Sequence, residues 1–227
     1  MVRPGMEIEG MNLTTEEKMI VAAAEDYVRE LFVGDSSGHD AEHTFRVYRN
    51  AMQIANGEPK CDLFVVALAA LLHDADDYKL FQTENNANAR HFMAAQKVPD
   101  ELADRICEVI NSVSFSKNKG KRPSTLEGCV VQDADRLDAI GAIGIARTFA
   151  FGGEKGRSMN DTVQHFYDKL LLLKDQMNTE TARREAKSRH TYLCQFLAEL
   201  DREREWARET GAAFEDKAEV SEENVDS

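Results

Sequence analysis

Residues 63–74 read LFVVALAALLHD, and the interpretation of this stretch decides the fold. Ten consecutive apolar residues, Leu63 to Leu72, fit either a strand buried on both faces or a helix enclosed on all sides, because periodicity alone does not separate the two. The full twelve-residue length and the three alanines at 67, 69 and 70 favour a helix. The apolar run is about half of the ~20 residues a membrane span needs. The stretch is therefore read as a central buried helix that ends in a polar pair, His73-Asp74.

The flanking sequence is helical on both sides. Thr14 and Glu17 form a capping box ahead of Met19, Ile20, Ala23, Tyr27 and Leu31, which predicts a helix over 15–33 closed by Gly34. Asp40 caps a second helix whose inner stripe is His43, Val47, Ala51 and Ile54, so a histidine lies on a core face. Beyond the central run, a polar helix over about 83–97 packs through Phe92 and Met93, and Pro99 starts another with Leu102, Ile106, Ile110 and Val113. SFSKNKGKRPS is a loop carrying Lys117, Lys119, Lys121 and Arg122, a basic cluster in an acidic chain. VVQDADRLDAIGAIGIARTF reads as one helix in which Val131, Asp135, Ala139 and Ala142 share a face. FGGEKGRSMN then breaks the chain before helices over 161–176 and 178–208, and from Gly211 the strongly acidic remainder predicts a disordered tail.

Composition agrees with an all-α, single-domain protein: 227 residues, 42% of them hydrophobic, with only four prolines. Twenty-eight basic against 41 acidic side chains leave a formal charge of −13, which argues against nucleic acid or an anionic membrane as partner. Cys61, Cys107, Cys129 and Cys194 form no CxxC or CxxxC pair, so no structural zinc cluster or redox motif is expected. The opening MVRPGMEIEG lacks the apolar core of a signal peptide. A cytoplasmic protein is expected.

His43, His73, Asp74 and Asp135 are the residues that core packing does not explain. Each is a metal-ligand type at a position where a packed residue is expected. Asp74 follows the C-terminus of an apolar helix, where the macrodipole disfavours an anion by roughly 0.3–1 kcal/mol and unpaired burial costs more. A bound cation removes both penalties. Two imidazoles and two carboxylates suit Mn²⁺, Fe²⁺ or Mg²⁺, with positions left for water and substrate.

The motifs GHDAEHTFRV, ALLHDADDYK and VQDADRLDAIGAIG together resemble the H…HD…D pattern of the HD-domain superfamily of metal-dependent phosphohydrolases. They span residues 39–146, and HFYDKLLLLKDQM with the helix after it resembles the C-terminal extension of a bacterial stand-alone subgroup. The resemblance implies an all-helical HD domain over 12–210, with its extension at 161–210 and the acidic tail at 211–227. It implies a divalent metal held by His43, His73, Asp74 and Asp135, the last chosen through the Asp-x-Leu pattern at Asp135-Arg136-Leu137. Asp133 and Asp138 then lie behind the ligands or at the surface. Asp77 corresponds to an acid that orients or deprotonates the attacking water, and Asp74 contributes to catalysis beside it. Arg46, Lys79 and His39 are the candidate substrate contacts. The GYP motif of cyclic dinucleotide phosphodiesterases is absent from the sequence.

The expected activity is hydrolysis of a small phosphorylated metabolite, with a nucleotide as the leading substrate and nucleoside triphosphate pyrophosphohydrolysis as the leading reaction. Nucleoside monophosphate dephosphorylation and alarmone hydrolysis need the same core and remain open, as does a homodimeric assembly. The rival from another class is a non-catalytic helical module that senses a metal or nucleotide. A two-iron oxygen site would require ligands beyond the single HD pair.

Overall fold

The computed structural model describes residues 13–33, 41–78, 80–113, 118 and 121–222. These residues form nine α-helices and one 3-10 helix, and no strand occurs among them, as an all-α reading requires. α3 (Leu63–Leu72) is the hub: every residue from Phe64 to Leu72 is buried, and Asp62 caps its start by accepting from the Val65 N–H at 3.2 Å. α1 (Thr15–Leu31) carries the predicted capping box. α2 (Ala41–Asn56) buries the whole predicted stripe of His43, Val47, Ala51 and Ile54. α5 (Asp100–Val113) follows Pro99, and α6 (Leu126–Asp138) starts at the Thr125 cap. α1, α2, α5 and α6 all pack on α3, and α2 also lies against α6.

α4 (Ala87–Ala95) is shorter than the predicted 83–97, because Asn85 and Asn86 adopt left-handed backbone at its start. The stretch 130–149 is two helices, not one. α6 ends at Asp138 and α7 (Gly141–Glu154) begins after a corner at Ala139–Ile140. Gly141 turns that corner at φ 78°, and a Cβ on Gly144 would lie 2.3 Å from the Ala139 carbonyl oxygen. The new direction leaves Ala142 exposed, so it does not share the buried face of Val131.

α7 runs on through Gly152 and Gly153, and the predicted break is confined to Lys155–Ser158. α8 (Met159–Asp168), the 3-10 helix Leu170–Gln176 and α9 (Glu180–Glu222) follow. α9 packs on α6, α7 and the 3-10 helix, burying Ala182, Ala186, Leu193 and Leu197. The backbone stays helical through 211–222, where composition predicts disorder. The alanines, glutamates and lysine of this stretch are good helix formers that favour propagation of a helix already nucleated upstream. One connected set of buried residues extends from Val21 to Leu197. No helix among the described residues is long and apolar enough to cross a membrane.

Candidate metal centre

His73 is the residue that ends α3, and its ring folds back to donate from Nδ1 to the Ala70 carbonyl at 2.8 Å. A carbonyl only accepts, so the ring proton sits on Nδ1 and Nε2 holds a lone pair. That Nε2 is buried and has no hydrogen-bond partner. Asp74 follows in the turn, with Oδ2 at 3.4 Å from His73 Nε2 and 3.6 Å from His43 Nε2.

His43 enters from α2, and the same reasoning applies to it. Its Nδ1 lies 2.8 Å from Asp138 Oδ2, so the ring proton faces that carboxylate and Nε2 again points inward. Asp135 Oδ1, from α6, is 3.5 Å from His43 Nε2. Ligand atoms of His43, His73 and Asp135 lie within 4.8 Å of one another, a spacing that could hold a metal ion. The four inward groups are thus two imidazole lone pairs and two carboxylates, with side chains from 3% to 29% exposed. Two imidazole acceptor atoms and two carboxylates crowd together, an arrangement that a divalent cation satisfies and apolar packing does not. The residues therefore fit the metal that their types suggested.

The turn carrying Asp74 is held from behind. Asp76 accepts from the backbone N–H groups of Asn88 (2.9 Å) and Ala89 (3.1 Å), and Asn88 Nδ2 donates to the Ala75 carbonyl at 2.8 Å. Asp76 thereby caps α4 from a distance, a role that local sequence spacing does not reveal. The Asp77 N–H donates to the Asp74 carbonyl at 3.1 Å, which places half-buried Asp77 in the same turn as Asp74.

Arg46 is bound to Asp138, one of the two aspartates expected behind the ligands or at the surface. Its Nε donates to Asp138 Oδ1 at 2.8 Å and its Nη2 to Asp138 Oδ2 at 3.2 Å. Arg147, from α7, donates to the same Oδ2. Burial works against a charge on Asp138, but the hydrogen bonds from His43 and Arg46 and the charge of Arg147 outweigh it. They hold the carboxyl well below the usual range. Two guanidiniums thus converge on one carboxylate. Asp133 and Asp138 are both buried, neither at the surface. Asp133 accepts from the N–H groups of Asn178 and Thr179 at 2.8 Å each and from the Thr179 hydroxyl at 2.9 Å, tying α6 to the start of α9. Arg136 turns away from the cluster to the Gln176 carbonyl. His39, Lys79, Lys117 and Lys119 lie outside the described residues, and Lys121 and Arg122 are exposed.

Comparison with known proteins agrees with this geometry. Residues 40–140 match the HD domain model. The chain is 44% identical over 186 residues to YpgQ of Bacillus subtilis, a match covering 78% of this chain and 90% of that protein. The structure of YpgQ in complex with ADP superposes with a TM-score of 0.70 at 36% identity, covering 83% of this chain and 96% of the other. An HD-superfamily hydrolase of Bacillus thuringiensis superposes at 0.69 and 37% identity, covering 82% and 97%. The helices that bring His43, His73, Asp74 and Asp135 together are those of a known class of enzyme, and the chain belongs to the HD-domain hydrolase family.

Proposed function

We propose that the protein is a metal-dependent phosphohydrolase acting on a nucleotide, with nucleoside triphosphate pyrophosphohydrolysis as the leading reaction. The observation that carries this reading is the convergence of His43 Nε2 and the buried, unpartnered His73 Nε2 with the carboxylates of Asp74 and Asp135. His43, His73, Asp74 and Asp135 are the proposed ligands. A divalent cation held there supplies Lewis-acid polarisation of a phosphoryl oxygen and lowers the pKa of water, and Mn²⁺, Mg²⁺ and Fe²⁺ all suit the donor set.

The surrounding residues take the remaining roles. Asp77, one turn from Asp74, orients the attacking water and accepts its proton. Arg46 and Arg147 are about a quarter exposed, at 24% and 28%, and their guanidiniums oppose the negative charge of the phosphates. Lys79 and His39 are further proposed substrate contacts. Nucleotide binding also draws support from YpgQ, whose structure was solved with ADP.

One screen tests the reading: nucleoside mono-, di- and triphosphates, a guanosine tetraphosphate and phosphomonoesters, each with Mn²⁺, Mg²⁺ or Co²⁺, with pyrophosphate resolved from phosphate. Pyrophosphate release from a triphosphate is the expected result. Phosphate release from monophosphates alone moves the assignment to a nucleotidase. Metal-loaded protein that is inert throughout but binds nucleotide favours a sensor.

A further inference from the structure

We propose that Asp138 is a positioning residue for the metal centre, acting through His43 by fixing which ring nitrogen carries the proton; the proposal rests on the metal-centre reading above. Asp138 is 1% exposed and sits where three helices meet. α2 brings His43 and Arg46, α6 brings Asp138 itself, and α7 brings Arg147. Oδ2 alone receives His43 Nδ1, Arg46 Nη2 and Arg147 Nη1.

The two guanidiniums set the consequence of losing this carboxylate. Without an acceptor at 138, the Nδ1 edge of His43 faces a cationic environment rich in N–H donors. The imidazole then does best as an acceptor on that edge. Its proton moves to Nε2, the atom that must hold a lone pair for a metal. Asp138→Asn makes the case with almost no change in shape. The arginines take the amide oxygen, the amide N–H₂ turns toward His43, and Nδ1 has to accept. A simple strut between α2, α6 and α7 makes no such prediction, because a strut would need only the arginine contacts.

His73 provides an internal reference. Its Nδ1 proton is held by the Ala70 carbonyl, which no substitution at 138 touches.

The test is a long-range ¹H–¹⁵N correlation spectrum of the metal-free full-length protein at about pH 8, with His43 assigned by loss of its signals in His43→Gln. Wild type is expected to show His43 and His73 both protonated on Nδ1. Asp138→Asn is expected to switch His43 alone to the Nε2-protonated pattern and to weaken Mn²⁺ binding in calorimetry by about 10- to 100-fold. Arg147→Met, which leaves the carboxylate in place, should keep the Nδ1 proton. Wild-type His43 protonated on Nε2 overturns the proposal without any variant, so a misfolded Asp138→Asn does not shield it. So does a folded Asp138→Asn with an unchanged His43 pattern and Mn²⁺ affinity within about two-fold of wild type. The spectrum and the calorimetry use no nucleotide, so an enzyme inert in the substrate screen leaves this result independently readable.

Discussion

The rings of His43 and His73 meet edge to face, with centroids 5.4 Å apart and planes inclined by 70°. Each ring is anchored through Nδ1 to an acceptor behind it, Asp138 for one and the Ala70 carbonyl for the other. Both Nε2 atoms are committed to the same small volume before any ligand arrives. That pre-arrangement has measurable consequences.

Ligand removal should separate stability from function. Asp74→Asn deletes one of the crowded negative charges, and each charged pair at about 4 Å contributes on the order of 1–4 kcal/mol of repulsion between high and intermediate effective dielectrics. Demetallated Asp74→Asn is therefore expected to melt at or above the temperature of demetallated wild type, while losing Mn²⁺ binding and hydrolysis. Calorimetric scans with and without Mn²⁺ read both quantities.

Chelation of the wild type should lower its melting temperature and abolish nucleotide binding together. At Mn²⁺ about 100-fold above its dissociation constant, mass action adds about 2.7 kcal/mol. Returning Mn²⁺ after chelation should restore the melting temperature, binding and turnover. Equal nucleotide affinity of the stripped protein would place the phosphate contact away from the cluster.

Asp138 predicts a pH dependence with a definite sign. Its carboxyl is held below the ordinary range in the folded protein, so its contribution is complete above the unfolded carboxylate pKa of about 3.9 and fades as pH falls through the folded value. Asp138→Asn should cost a few kcal/mol at pH 7, somewhat under the ~3–5 kcal/mol of a fully enclosed pair, because both arginines reach solvent. Urea titrations from pH 7 down to 3 should show the gap between wild type and variant narrowing only below about pH 4.

Thiol reactivity should be sharply unequal. Burial, reinforced by Glu127, Asp62 and Glu58, pushes the Cys61 thiol up to about 12, so little thiolate forms at pH 8. Burial also raises Cys107, Cys129 is buried, and Cys194 is exposed on α9. A chromogenic disulfide reagent at pH 8 should titrate one fast thiol in the native protein, lost in Cys194→Ser, and four after denaturation.

The corner between α6 and α7 should tolerate little. Gly144→Ala drives a methyl group into the Ala139 carbonyl, against rigid backbone, and should destabilise by about 1–3 kcal/mol or more. Because Asp138 and Arg147 flank this corner, Mn²⁺ affinity should fall with it, which calorimetry on the folded fraction would show.

The clustered quartet of proposed ligands was legible because each member is a polar residue interrupting an apolar pattern: His43 within a buried stripe, His73-Asp74 at the end of an all-apolar run, Asp135 beside Val131. The corner at Ala139–Ile140 was not, because apolar residues continue through it and glycines alone mark it. The contacts of Asp138 and Arg147 escaped for a different reason. The Asp138 partners His43 and Arg46 lie about a hundred residues away on α2, and Arg147 reaches Asp138 only across the corner between α6 and α7, so nothing in local spacing announces these contacts. Asp76 likewise looks like one more acid in a run of three until Asn88 is brought against it.

α6 also carries a lesson about where this protein can be cut. The motif-bearing segment 40–140 looks like a portable module, since all four proposed ligands fall inside it. Yet the helix that presents Asp135 is pinned two residues earlier by Asp133, whose partners include Asn178 and Thr179. At its other end it is pinned by Asp138, one of whose partners is Arg147. A fragment ending near 140 would leave Asp133 buried among severed contacts and Asp138 short of a cation. The placement of the proposed ligands in the first half of the chain thus depends on side chains of the second.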